Sequence, residues 1–309
     1  MRYLEVDGLR TSVIGLGTWQ FGSREWGYGE QYAAETAPAL VRRALELGIT
    51  MLDTAEAYGP GRSERIIAGA LGAIPPEARD GLVVATKFLP LVPAEPIVAR
   101  QAAGSRRRLG VDALDLYYAH WPNPFISVRR TMQALRPLVA SGVVARVGVS
   151  NYSLDQWQEA ERALRAPVIA NQVAFSLARP APAGDLVPYA AAMRRVVVAY
   201  SPLGQGLLAD GWQAGGRRAR GVRYSNSLFR SGARARATPL LGAMAEIAAA
   251  HGATRAQVAL AWVIQHPNTV AIPGARTIEQ LEENAAAADL TLEAAELARL
   301  SSIAGELAR

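Results

Sequence analysis

Residues Met51–Gly59 read MLDTAEAYG, a short apolar run that ends on an acid and is followed by a tyrosine in a glycine-bounded turn. A run this short, bounded by turn residues, has the signature of a buried strand, so Asp53 stands where a strand leaves the core. Similar segments recur along the chain. SVIGLGTW, TMLDTA, GLVVATKF, LDLYYAHW, GVVARVGVS, PVIANQVAF, RVVVAYSPL and NTVAIPGA make eight compact runs rich in β-branched residues, as strands buried on both faces should be. Helical patterns lie between them. APALVRRALELG places Leu40, Ala44 and Leu47 on one face and ends in glycine, a common helix stop. SLDQWQEAERAL, TRAQVALAWVIQH and TIEQLEENAAAA open on the pairs Ser153/Gln156, Thr254/Gln257 and Thr277/Gln280, the spacing of a capping box.

Strands alternating with helices predict parallel crossovers, and eight units fit a closed (β/α)8 TIM barrel better than an open doubly wound sheet. The opening YLEVDGLRTSVIGLG adds an N-terminal hairpin about Asp7-Gly8, a two-residue turn signal, and an extra C-terminal helix completes the expected α/β architecture. No composition shift divides the chain, so residues 1–309 are expected to form a single barrel domain. The irregular stretch Leu207 to Thr238 is read as a long flexible loop, because segments of this length without a pattern are functional or unstructured. Its Arg217, Arg218, Arg220 and Arg223 amid glycines fit a phosphate-touching flap or a solvated excursion. Gly204, Gly206 and Ala209 spell Gly-x-Gly-x-x-Ala, but DGWQAGG follows and cannot supply the helix a dinucleotide-binding βαβ unit needs.

Composition narrows the chemistry. Half of the 309 residues are apolar, ample for a core, yet no unbroken run reaches the roughly 18 residues of a membrane span. The start MRYLEVDGLR is charged early and lacks the apolar middle of a signal peptide, so a cytoplasmic location is expected. The absence of cysteine excludes disulfides, thiolate metal sites and cysteine nucleophiles. The histidines His120, His251 and His266 are scattered, and no metal is expected. The net charge of +6 comes without aromatics interleaved among the basic residues, so neither nucleic acid nor a membrane is the expected partner. Oligomeric state is not legible. Of 33 basic residues, Lys87 is the sole lysine. Arginine is a broad, permanently charged fork, whereas lysine is a compact charge whose acidity shifts on burial, which suits a proton-transfer site.

Active sites of such barrels lie at the C-terminal ends of the strands. Asp53 closes TMLD, Lys87 closes VVATK, His120 closes LYYAH, and Tyr58 enters from the loop after the first of these. A phenol with a pKa near about 10 is a poor acid at neutral pH. A nearby ammonium is expected to lower that value, with the aspartate holding the lysine charged. His120 can donate to a carbonyl oxygen bound between it and the tyrosine. The set suits protonation of an oxygen on which negative charge develops, as when hydride adds to an aldehyde or ketone, or the reverse.

These residues resemble the aldo-keto reductase family over essentially the whole chain. Its tetrad matches Asp53, Tyr58, Lys87 and His120, and GLGTW, LDTAEAYG, ATK and YYAHWP are similar to its signature segments. The loop and SPLGQGLL look more like the branch of bacterial general reductases and potassium-channel β subunits than like mammalian aldose reductases. The resemblance implies NADPH as cofactor, with NADH possible. It implies that Ser150, Asn151 and Gln172 meet the nicotinamide amide, that Tyr200 stacks beneath the ring, and that Ser201, Leu203 and Gly206 line the pyrophosphate path. Gly274, Arg276, Gln280, Glu283 and Asn284 would take the adenosine and its phosphate, helped by the helix start at Thr277. Gly17, Thr18 and Trp19 would lie near the cofactor or the mouth. Trp19, Trp26, Tyr28, Trp121 and Phe125 would wall an aromatic substrate pocket. The expected activity is NADPH-dependent carbonyl reduction; a sugar or alcohol dehydrogenase working oxidatively with NAD, or a nucleotide-sensing regulatory subunit, would carry the same residues.

Overall fold

The computed structural model describes residues 1–22, 26, 29–210, 227–229 and 233–308. The chain opens with a hairpin of β1 (Tyr3–Val6) and β2 (Leu9–Ser12), paired antiparallel from Tyr3 opposite Ser12 to Val6 opposite Leu9. Asp7 and Gly8 both take positive φ, 45° and 74°, as the tight turn matching strand twist requires.

Eight parallel strands follow in sequence order: β3 (Leu16–Gly17), β4 (Met51–Asp53), β5 (Val83–Phe88), β6 (Leu116–Ala119), β7 (Val147–Ser150), β8 (Val168–Ala174), β9 (Val196–Tyr200) and β10 (Thr269–Ala271). Every expected strand is present. Closure is made just before β3, where the Gly15 N–H donates to the Ala271 carbonyl at 2.8 Å and the Ala271 N–H donates to Val13 at 2.9 Å. The Gly17 N–H then donates to the Pro273 carbonyl at 3.1 Å, extending the seam. TIM-type closure leaves no free sheet edge.

The barrel interior is filled by Met51, Val83, Ala85, Leu116, Tyr118, Ile169, Val196, Val198 and Val270, and the hairpin's Val6 and Leu9 join this cluster. The hairpin therefore plugs the end where the strands begin, leaving the C-terminal end for chemistry. Outside, helices Ala37–Glu46, Arg62–Gly72, Glu95–Leu109, Val128–Ala140, Leu154–Leu164 and Leu186–Met193 cover the sheet, followed by Ala233–Ala250, Arg255–Ile264, Ile278–Ala286 and the C-terminal Ala294–Ala308. Ala37, Leu40, Val41 and Ala44 are the buried stripe of the first of these, an amphipathic spacing that includes the expected Leu40 and Ala44, whereas Leu47 is half-buried just past the helix end.

Two expectations need correction. The capping boxes at Ser153/Gln156 and Thr254/Gln257 are complete, but Thr277 forms only half of one. Its hydroxyl accepts from the Gln280 N–H at 3.3 Å, whereas Gln280 Oε1 takes the Arg276 N–H at 2.9 Å. The stretch 207–238 is also not irregular throughout: Leu207 and Leu208 are buried, Ser227–Phe229 forms a 3-10 turn, and a helix begins at Ala233. A run of arginine and glycine masks that helical start. Arg217, Arg218, Arg220, Arg223 and Tyr28 lie outside the described residues. Among the described residues no helix is long and apolar enough to cross a membrane, and no group of side chains is arranged to hold a metal ion.

The seam leaves no room for a side chain at Gly17, where a Cβ would sit 2.7 Å from the Ile272 carbonyl oxygen. Gly17→Ala is expected to lower unfolding free energy by about 1–3 kcal/mol, measured as a reduced urea midpoint with unchanged m-value.

Candidate active site

The exits of β3, β4, β5 and β6 are joined by backbone hydrogen bonds that continue past the strands. Thr18 N–H donates to Asp53, Thr54 N–H to Ala85, Glu56 N–H to Lys87, and His120 N–H to Phe88, at 2.8 to 3.1 Å. This ladder gathers the four expected residues at one rim. Lys87 is fully buried, and its Nζ donates to Asp53 Oδ2 and to the Thr54 carbonyl, both at 2.7 Å, and reaches Tyr58 Oη at 3.4 Å. An ammonium has three donors, and here three oxygens receive them. On its other oxygen Asp53 accepts from Gln172 Nε2 at 2.6 Å. The Tyr58 and His120 rings meet edge to face with centroids 5.9 Å apart.

Burial opposes both charges of the central pair, raising the Asp53 pKa and lowering that of Lys87, while their mutual attraction works against both shifts. Tyr58 departs from expectation. Its pKa lies well above the usual 10, pushed up by burial and then by the Asp53 carboxylate and Tyr200. The aspartate that secures the lysine also offsets its field at the phenol. His120 is pushed down to about 2 by burial and by the Lys87 charge, so its imidazole is neutral, and its Nδ1 is buried with no partner among the described residues.

A second polar group continues around the mouth. Ser150 Oγ donates to the Gln172 carbonyl at 2.9 Å, Asn151 Nδ2 to Ser150 Oγ at 3.1 Å and to the His120 carbonyl at 3.3 Å, and Tyr200 Oη to Asn151 Oδ1 at 2.9 Å. Asn151, Ser201 and Gln205 all take positive φ, 63°, 49° and 56°. Such backbone clusters at functional sites. Leu203 and Gly206 belong to the same turn, with Gly206 at φ +97°. Across the seam, Gly274 and Arg276 are exposed and precede the helix Ile278–Ala286, which carries Gln280, the half-buried Glu283 and the buried Asn284.

The sequence matches the family profile described as "Aldo/keto reductase family" across residues 13–304. The chain belongs to the aldo/keto reductase family. An uncharacterized oxidoreductase of Mycobacterium tuberculosis is 49% identical over 295 residues, 95% of this chain and 90% of the relative. The methylglyoxal reductase YeaE of Escherichia coli is 34% identical, over 93% of this chain and 89% of its own. An aldo/keto reductase from Klebsiella pneumoniae, crystallised with NADP and acetate, superposes with a TM-score of 0.75 at 33% identity, covering 95% of this chain and 91% of that one.

Several groups gathered at this rim of the aldo/keto reductase chain carry no sequence signal. The Thr54 carbonyl is one, since any residue would supply it. Thr18, expected near the cofactor or the mouth, is fully buried, its hydroxyl donating to the Asp53 carbonyl at 2.8 Å and lying 2.7 Å from Ser63 Oγ. Gln20, not singled out beforehand, joins the Gly17 and Ala275 carbonyls across the seam, at 3.2 Å each. Of the aromatic wall, Trp19 lies 6.3 Å from the Tyr58 ring and 5.3 Å from Trp26, and Trp121 lies 3.8 Å from His120. Phe125 is 95% exposed, so it packs against no pocket wall.

The depressed His120 value has a stability consequence. Below about 6.5 the unfolded chain takes up a proton that the folded one refuses until about 2, so acid favours unfolding. Relative to His120→Gln, the wild type should lose about 1.4 kcal/mol per pH unit between pH 6 and pH 4, read from urea midpoints across that range.

Proposed function

We propose that this protein is an NADPH-dependent reductase of small aldehydes and ketones, with Tyr58 as the proton donor. The reading rests on one observation: a buried Lys87 ammonium touching both the Asp53 carboxylate and the Tyr58 hydroxyl. Because Nζ donates to Oη, the phenol's own proton is left to point toward a substrate oxygen. His120, neutral and with an orphaned buried nitrogen, orients the carbonyl and polarises it by hydrogen bonding. Asp53 holds Lys87 in place, and Gln172 holds Asp53.

The residues at the mouth fit the cofactor. Ser150, Asn151 and Gln172 form a donor and acceptor set suited to a carboxamide, and the half-buried Tyr200 ring offers a flat face beside them. Arg276, with the N–H groups that open the helix Ile278–Ala286, suits the ribose phosphate. When bound, NADPH supplies the hydride. The Klebsiella relative holds NADP, and the name of the E. coli relative makes methylglyoxal the first substrate to try.

The raised Tyr58 pKa favours reduction over the oxidative reading. A phenol that keeps its proton is ready to give it to a forming alkoxide and poorly able to accept one. Reduction should therefore hold its rate from pH 6 to pH 9, while oxidation of the matching alcohol climbs with pH over that range. A reduction rate that fell away with a midpoint near 7 to 8 would contradict the assignment. Tyr58→Phe should lower kcat by at least about a thousandfold while leaving NADPH affinity, measured by fluorescence titration, nearly intact; near-normal turnover would remove Tyr58 from its role.

A further inference from the structure

The loop that presents Tyr58 is fastened by a carboxylate outside the tetrad. Glu56 Oε1 accepts from the Leu89 N–H at 2.7 Å and from Gln101 Nε2 at 2.8 Å, and Gln101 Nε2 also donates to the Leu89 carbonyl at 3.1 Å. The Glu56 N–H donates to the Lys87 carbonyl at 3.1 Å, and its own carbonyl accepts from the Gly61 N–H at 2.7 Å, closing the turn around Tyr58. Glu56 therefore binds the exit of β5 at two points that bracket Phe88, the Lys87 carbonyl and the Leu89 N–H. Tyr58 follows two positions later.

The carboxylate is partly buried, and the charged groups facing it are Arg108 and Glu64. Arg108 Nε donates to Glu64 Oε2 at 2.5 Å, and Glu64 Oε1 accepts from Thr86 Oγ1 at 2.7 Å, so this layer lies against the strand that carries Lys87. The guanidinium crosses close over Gly61 and Gly104, where a Cβ would crowd it. Burial raises the Glu56 pKa, and the Leu89 N–H and Arg108 oppose that shift. A solvated surface glutamate would have none of these fixed partners.

We propose that Glu56 is a positioning residue for the reduction: by tying the Tyr58 loop to the exit of β5, it sets the separation between the Tyr58 hydroxyl and the Lys87 ammonium. The inference rests on Tyr58 being the proton donor. A residue that served stability alone would change the melting temperature without changing turnover by the folded enzyme. A positioning residue changes kcat, because a displacement of about 1 Å at a reacting group costs up to about a hundredfold in rate.

The test is steady-state reduction by the intact enzyme, using the fastest substrate from a carbonyl panel that includes methylglyoxal, alongside NADPH affinity by fluorescence. Glu56→Ala is expected to lower kcat by about tenfold to a hundredfold with NADPH affinity within about twofold. Glu56→Gln, whose amide oxygen accepts both hydrogen bonds, is expected to stay within about threefold of wild type. A folded Glu56→Ala with wild-type kcat overturns the proposal, as does a Glu56→Gln variant as impaired as Glu56→Ala. Should Glu56→Ala not fold, Glu56→Asp keeps the charge but falls one methylene short of Leu89, and an undiminished kcat there overturns it equally. Tyr58→Phe in the same panel separates the two levels. If it still turns over, the proton-donor reading fails; if it is dead beside a fully active Glu56→Ala, only the role of Glu56 fails.

Discussion

A buried ammonium organises the rim of this barrel. Lys87 Nζ has no exposure and contacts Asp53, the Thr54 carbonyl and Tyr58, so the exit of β5 is fastened to the exit of β4 and to the loop beyond it. Removing one partner of such a pair leaves an uncompensated buried charge, which costs far more than a surface ion pair contributes. Arginine could not take this place. Its planar fork needs a bidentate acceptor and more room, whereas the three oxygens here surround a point. In a chain that otherwise uses arginine for its basic side chains, the exception follows from that geometry.

The same pair sets the protonation of its neighbours. A lone lysine beside a phenol would make it more acidic, but Lys87 comes with Asp53, and the phenol is also buried. Desolvation and the carboxylate together keep Tyr58 neutral. Burial, and after it the Lys87 charge, holds His120 neutral too. Tyr58 and His120 are thus uncharged donors beside a charged pair. Such a site has little charge to shed before reaction and fixed dipoles ready for an oxygen becoming negative.

What the sequence disclosed was what has a local pattern. Eight β-branched runs separated by amphipathic segments specify strands and crossovers, and the turn residues Asp7-Gly8 specify the hairpin. The tetrad was legible because each member lies at or just past a strand end, where chain position fixes which rim it joins. Contacts made by backbone atoms left no such trace. The Thr54 carbonyl could belong to any residue, and Gln20 gives no sign that it spans the seam to Ala275. The acidity of Tyr58 was misjudged because its upward shift comes first from burial and then from the nearby Asp53 carboxylate, both set by packing that leaves no local pattern. Gln280 was read as a helix cap because spacing cannot tell which of two nearby N–H groups its amide will take.

Closure of the sheet and formation of the site are one event. Gly17 hydrogen-bonds to Pro273, Gln20 and the Tyr32 hydroxyl both reach the Ala275 carbonyl, and Thr18 reaches the Asp53 carbonyl. The segment Gly274–Arg276 is therefore placed by residues more than two hundred positions earlier in the chain. A Cβ on Gly59, itself at φ +57°, would collide with the Gly22 carbonyl, so the Tyr58 turn also rests on that early segment. Contacts this distant in sequence form late, since loop closure must precede them. A partly folded chain can build the Lys87–Asp53 corner from neighbouring strands, but it cannot place the Gly274–Arg276 segment until the first and last strands meet.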